Sequence, residues 1–195
     1  MASIAEKLAK ATVGIAGLGG LGSTVAVALA RADVGQLIIA DFDSIEESNL
    51  TRQQYFVDQI GRNKVECTIE NLSRINADVK VKGHSERLDA ENIPVIFAEA
   101  DVIAECFDRA EAKQMIVETV LTKMEKPIVV TVSGLAGYGN SNAIQTRRLS
   151  DRLILVGDSE RGIDSEPVLT AARVGIAACH QANAILEVII DEIYE

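Results

Sequence analysis

The sequence predicts a doubly wound α/β fold, a mostly parallel sheet covered by helices on both faces that ends in an antiparallel hairpin and a closing helix. Three observations predict it. Short apolar runs alternate with helix-patterned segments, a glycine-rich turn joins the first run to the first such helix, and the second run ends in an acid. Strands separated by helical crossovers of this length pair in parallel, because the right-handed crossover lays each helix against the sheet.

After an amphipathic lead-in, Ser3–Lys10, the stretch Thr12–Gly17 reads as a buried strand and Leu21–Ala32 as an Ala-rich helix. Gln36–Asp41 is the second strand, and Arg62–Asn76 has helical spacing through Val65, Ile69, Leu72 and Ile75. Val79–Gly83 (strand), Asp89–Ala98 (short helix), Asp101–Glu105 (strand), Arg109–Lys123 (helix) and Pro127–Ser133 (strand) continue the alternation. The last third departs from it. Ala143–Leu149 and Arg152–Val156 are close enough, across Ser150-Asp151, to form a hairpin; Gly157–Pro167 is a polar loop, and Leu169–Ile190 a long helix.

With 195 residues, one domain spanning 1–195 is expected. Hydrophobic residues make up 48% and charged residues 25%, a globular balance, and no uninterrupted apolar run reaches the roughly 18–20 residues of a membrane span. No membrane partner is expected. The N-terminus lacks the basic and apolar regions of a secretory signal, so a cytoplasmic location is expected. A net charge of -10 repels a phosphate backbone and argues against nucleic acid. Cys67, Cys106 and Cys179 are widely spaced with no C-x-x-C pair, so neither a structural zinc nor a disulfide is expected. Each is read as a small buried apolar residue. His84 and His180 lack partners at metal-ligand or triad spacing.

Gly17-Leu18-Gly19-Gly20-Leu21-Gly22 fits G-x-G-x-x-G between a strand and a helix. Glycines let the backbone turn sharply and approach a phosphate, while the helix start offers unpaired N–H groups. Asp41, roughly 20 residues further on, stands where a carboxylate meets ribose hydroxyls in Rossmann-like domains. These features alone do not separate NAD from ATP. The stretch from Asp41 to Gln54 then adds what an NAD site does not require, a polar set with a cation, and Arg62-Asn63-Lys64 places another cation at the next helix start. Such groups neutralise a triphosphate. Glu105-Cys106-Phe107-Asp108 puts an acid beyond the fourth strand, suited to Mg²⁺ between phosphate oxygens.

The order G-x-G-G-x-G, D-x-D, S-N-L-x-R-Q, a helix-start Lys and an Asp after the fourth strand resembles the adenylation domain of the ubiquitin-activating-enzyme superfamily, including molybdopterin-synthase activators and ThiF. The resemblance covers Thr12 to Ser133. The runs Arg52–Phe56 (RQQYF) and Cys179–Asn183 (CHQAN) resemble a short bacterial ThiF-type subfamily. The resemblance implies an ATP- and Mg²⁺-dependent nucleotidyltransferase that adenylates the C-terminal Gly carboxylate of a small ubiquitin-like sulfur carrier, ThiS-like and ending in Gly-Gly, in thiamine biosynthesis. It also implies a homodimer. Asp41 is then placed on the ribose, Asp43 near the phosphates or metal, Asn49, Arg52 and Gln53 around the triphosphate, Lys64 at the α-phosphate and Asp108 on Mg²⁺, with Gly17, Gly19, Gly20 and Gly22 forming the phosphate turn. Arg52, Lys64 and Asp108 form the catalytic set.

Two departures stand out. Relatives contribute an N-terminal arginine across a dimer interface, yet no arginine precedes Arg31 here and Lys7 and Lys10 are the only cations of the lead-in. Larger relatives also carry zinc-binding cysteine pairs and a reactive loop cysteine, which this sequence lacks. Gly134–Gly139 reads equally as a flexible connection or as a side-chain-poor passage for a Gly-Gly tail, and Gly157–Pro167 as a solvated loop or a clamp over it. The alternatives to adenylation are an NAD-dependent oxidoreductase and a nucleotide-binding module without catalysis.

Overall fold

A computed structural model describes residues 2–160 and 168–194. The chain opens with α1 (Ile4–Lys10), closed at its start by a capping box in which Ser3 accepts from the Glu6 amide and Glu6 accepts from the Ser3 amide. Then come β1 (Thr12–Ala16), α2 (Gly20–Arg31) and β2 (Gln36–Ala40). Two 3-10 turns, Glu47–Thr51 and Val57–Gln59, precede α3 (Lys64–Ser73), β3 (Lys80–His84), α4 (Ile93–Ile96) and β4 (Val102–Glu105). The rest is α5 (Ala110–Lys123), β5 (Ile128–Val132), β6 (Gln145–Ser150), β7 (Leu153–Gly157) and α6 (Ala171–Val188), which runs into a π-helical turn, Ile189–Ile193.

The strands form a single sheet in the order β3-β2-β1-β4-β5-β7-β6. All neighbours are parallel except the β6–β7 hairpin at the edge. Strand order reverses between β1 and β4, which opens a crevice at the carboxyl ends of these two strands. Alternate residues feed two cores. Leu37 and Ile39 pack with α2, α3 and α6, whereas Ile38 and Ala40 pack with α4 and α5. That burial on both faces is why the strands read as continuous apolar runs.

Several boundaries are shorter than the sequence reading. Asn63 caps α3, its Oδ1 accepting from Val65 and Glu66 amides at 2.9 and 3.2 Å, so the helix starts at Lys64 rather than Arg62. The segment 89–98 contains only one helical turn, because Asp89 and Asn92 spend their side chains on a local turn and Pro94 follows. Thr170 caps α6 and excludes Leu169. An 18-residue window within 171–193 is apolar enough, by length and composition, to cross a membrane, with mean hydropathy 1.2, but 50% of that window is buried here, as in the core helix of a globular domain. It packs against α2, where alanines on both helices allow close approach.

The two ends of the chain meet. Lys7 is buried, and its ammonium donates to the Ile190 carbonyl at 2.6 Å, where the π turn leaves acceptors exposed at a helix end. The Tyr194 hydroxyl donates to the Lys10 carbonyl and to Asp101 Oδ2, which also accepts from the Thr12 amide. Lys7 is thereby engaged within its own chain.

A tight point of the fold beside the first strand is Gly22, where a Cβ would lie 1.8 Å from the Gly17 carbonyl oxygen. Backbone must move to admit it. Gly22→Ala is expected to destabilise the protein by on the order of 1–3 kcal/mol or more through overpacking. Gly175→Ala is the contrast: nothing lies within 4 Å of a Cβ there, so the change should stabilise by about 0.5–1 kcal/mol from helix propensity. Urea unfolding of both variants measures the difference in sign.

Candidate functional site

At the end of β1 the chain turns at Gly17, whose φ of 92° suits glycine. Its amide donates to the Ala40 carbonyl at 2.8 Å, and a Cβ would meet the Cys106 carbonyl at 3.1 Å, so the exits of β2 and β4 close on the turn. The Leu18 amide donates to Asp41 Oδ2 at 2.6 Å, and its carbonyl accepts from the Tyr55 hydroxyl at 2.9 Å. Leu18 is thus clamped from both sides. Gly19 stands at the N-cap of α2 without a side chain to cap it, which leaves the helix start open to an anion.

Asp41 is buried, and its other oxygen accepts from the Asp43 amide at 2.8 Å. The ribose acid of the sequence reading is therefore also the lock of the glycine turn. Each of its oxygens keeps a second lone pair for a hydroxyl donor. Asp43 and Lys64 form an ion pair at 3.0 Å, the ammonium buried and the carboxylate half exposed. Pairing of residues 43–45 with 61–64 brings them together, through Ile45 amide to Arg62 carbonyl and Lys64 amide to Asp43 carbonyl. Lys64 is thus not the solvated charge its residue type favours.

Asn49 is buried and works on the backbone of its own turn: its Oδ1 accepts from the Glu46 amide, and its carbonyl accepts from the Arg52 and Gln53 amides. It thereby aims Arg52 and Gln53. The Arg52 stem lies 3.6 Å from a Cβ built on Gly20, and its Nη1 donates to the Ser48 carbonyl at 3.1 Å. Gln53 lies beside Gly19, and its Oε1 is buried without a partner among the described residues. An orphaned amide at a glycine turn is an open valence for a ligand, and a half-turn of the amide exchanges acceptor for donor.

Asp108 is exposed, in the turn that leads from β4 into α5. What holds that turn is Glu105, fully buried, which accepts from the Phe107 amide at 2.6 Å, from Thr131 Oγ1 at 2.6 Å and from Lys113 Nζ at 3.1 and 3.0 Å. Gln181 of the CHQAN run donates to the Glu105 and Val130 carbonyls at 2.9 and 2.7 Å. Sequence reasoning missed Tyr55, Glu105 and Gln181 as positioning residues. The first and last lay within runs noted only for their resemblance, and nothing local marks a tyrosine as the partner of a carbonyl 37 positions away. Among the described residues no three His, Cys, Asp or Glu side chains gather at metal-binding distance.

Cys67 and Cys106 are buried, as expected, but Cys179 is exposed on α6 and corrects the reading of all three as buried. It falls on the outer face, since its neighbours Ala178 and Gln181 take the inner one. Burial pushes the Cys106 thiol far above its ordinary range, with the Glu105 carboxylate adding to the shift, and burial also raises Cys67. Burial likewise raises the Tyr55 hydroxyl, keeping it protonated as a donor. Of the loop Gly157–Pro167, residues 161–167 lie outside the described residues, so the clamp reading rests on 157–160 alone.

A doubly wound sheet with a glycine turn at its switch point, an acid closing that turn and cations beside it defines the class, a Rossmann-like α/β domain of the activating-enzyme type. The chain matches the ThiF family over residues 2–194 and belongs to that family. The adenylyltransferase and sulfurtransferase uba4 of Aspergillus niger is 40% identical over 124 residues, 63% of this chain and 26% of that protein. The sulfur carrier protein ThiS adenylyltransferase of Escherichia coli K12 is 33% identical over 142 residues, 72% of this chain and 55% of its own length. This chain therefore spans about a quarter to about half the length of these curated relatives. Among solved structures, E. coli tRNA N6-threonylcarbamoyladenosine dehydratase TcdA in complex with AMP superposes with a TM-score of 0.88 at 18% identity, covering 98% of this chain and 91% of that one, which bears on the fold alone. E. coli MccB with ATP gives 0.70 at 25% identity over 95% and 57%.

Two outcomes follow from this geometry. Asp41→Asn replaces one acceptor by an N–H donor facing a backbone N–H, so it should destabilise the apo protein by about 1–3 kcal/mol; a carboxylate that only met ribose would leave apo urea unfolding unchanged. A thiol reagent should label Cys179 rapidly and Cys67 and Cys106 only on unfolding, read by mass spectrometry of native and urea-treated protein.

Proposed function

We propose that the protein adenylates the C-terminal glycine carboxylate of a small ubiquitin-like sulfur carrier with ATP, releasing pyrophosphate, and that it serves thiamine biosynthesis as a homodimer. The observation that carries this reading is the placement of Arg52 and Gln53 against the open start of α2, with a buried Gln53 oxygen lacking a partner. A hydride-transferring dinucleotide site does not require a guanidinium there. The names of the ThiS adenylyltransferase and uba4 relatives support the same chemistry and partner class.

In this reading the glycine turn and α2 start hold the phosphates, and Asp41 takes the ribose. Arg52 and Gln53 neutralise and orient the triphosphate. Lys64 turns from Asp43 to the α-phosphate as the nucleotide arrives. The carrier's carboxylate attacks the α-phosphorus, the bond to the β-phosphate bridging oxygen breaks, and pyrophosphate leaves. A carboxylate is already a nucleophile, so the chain supplies position and charge rather than a general base. Asp108 at the rim is suited to Mg²⁺, a cation that keeps several waters and binds through one or two carboxylates plus phosphates. Bound there, it would neutralise the charge on the departing pyrophosphate.

ATP–pyrophosphate exchange should appear only with a carrier ending in Gly-Gly and vanish when the terminal glycine is removed. Arg52→Ala should cost on the order of 3 kcal/mol, roughly a hundredfold in rate, and Arg52→Lys should recover only part. Asp108→Asn should stay folded and lose most activity. Tight NAD binding with hydride transfer and no exchange with thiamine-pathway or molybdopterin-pathway carriers would replace this reading by an oxidoreductase; nucleotide binding without exchange would leave a non-catalytic module.

A further inference from the structure

Arg173 heads the largest fully buried side chains, although it carries a charge. Its Nη1 donates to the carbonyls of Gly139 at 2.7 Å and Asn140 at 3.0 Å, and its Nη2 pairs with Asp158 Oδ2 at 2.6 Å. The two charged side chains are 1% and 5% exposed. Arg173 Nε is buried with no partner among the described residues. Burying an ion pair carries a large desolvation cost, and a well-packed apolar pair of similar volume is often no less stable. Stability is therefore a weak reason for this arrangement.

What the pair does is join two connections at the carboxyl end of the sheet. Residues 134–140 follow β5 and residues 158–160 follow β7. They are already laced together by the Asp158 amide to the Gly134 carbonyl at 3.1 Å, and the Gly137 amide donates to the Val168 carbonyl at 2.7 Å. Gly134, Gly137, Gly139 and Asn140 all have positive φ. With three glycines among its seven residues, this segment is held to one path by the groups that fix its backbone. The next residue along α6, Val174, rests on the phosphate turn: a Cβ on Gly20 would lie 2.9 Å from Val174 Cγ1 and 3.4 Å from the Arg52 carbonyl. One helical turn thus touches the glycine loop through Arg173 and the α2 start through Val174. A groove of about 250 Å³, lined by Ala143, Gln145, Arg147, Gly157, Asp158 and Glu160, borders the same ion pair.

We propose that Arg173, oriented by Asp158, is a positioning residue for the carrier's C-terminal tail, holding residues 134–140 in register with the glycine turn so that the thin Gly-Gly segment meets a preformed floor. This rests on the adenylation reading above. The pair sets carrier affinity, while nucleotide binding depends on the other side of the crevice.

The test is steady-state ATP–pyrophosphate exchange, with a ubiquitin-like sulfur carrier ending in Gly-Gly, for the wild type, Asp158→Asn and the double variant Arg173→Met/Asp158→Leu, whose apolar pair keeps the interior filled. Carrier KM should rise on the order of tenfold or more while ATP KM stays within about twofold. Hydrogen exchange should quicken at the Gly137 amide and not at Leu21–Ser23. A folded variant with unchanged carrier KM, or with ATP KM rising in parallel, overturns the proposal. So does unchanged protection of Gly137. A wild type inactive with every carrier overturns the adenylation reading itself, a result distinct from an active wild type whose variants behave like it.

Discussion

The first turn of α2 can sit where it does only because Gly22 lets its backbone approach the Gly17 carbonyl to a distance that no Cβ tolerates. Everything at the carboxyl edge of the sheet is referred to that approach. Asp41, just beyond β2, and Tyr55 from the loop that follows take the two polar groups of Leu18, so the turn is held by elements on one side of the switch point. The exit of β4 presses on Gly17 from the other side. A phosphate-sized anion at this place meets donors whose positions were settled by packing before it arrives, which is what makes such a turn effective.

Charge is distributed around this turn with economy. In a chain of net charge -10, the two cations that the proposed function assigns to the phosphates are restrained differently. Lys64 is buried against Asp43, so its charge is held in place by a carboxylate that, in the proposed function, a triphosphate would displace or share. Arg52 is folded over its own 3-10 turn and needs only a rotation of its long side chain to reach the helix start. The carboxylate of Glu105 belongs to neither role; its donors fix the turn on which Asp108 stands.

The sheet, its crossovers, the hairpin and the glycine turn were legible because each is written in local patterns: apolar runs, helical spacing, and glycines at fixed offsets. Arg52, Gln53, Asp41 and Lys64 were legible as candidates for the same reason, being ordered along one short stretch. What escaped depends on partners far along the chain. Tyr55, Gln181 and Arg173 act on backbone groups that no spacing rule connects to them, and the exposure of Cys179 is decided by which face of α6 meets the sheet. The shortened α3 and α4 show a further limit, since helical periodicity extends past the point where Asn63, Asp89 and Asn92 divert the backbone into caps and turns.

The contact between Lys7 and Ile190 joins positions 183 apart in sequence. Closing so long a loop is entropically unfavourable until the sheet between them has formed. During synthesis α1 therefore emerges with its Lys7 ammonium lacking this partner, and the ammonium stays in water until Ile190 has been made and α6 has folded. Docking of α1 is in this sense a late event that reads out whether α6 has already been laid against the sheet.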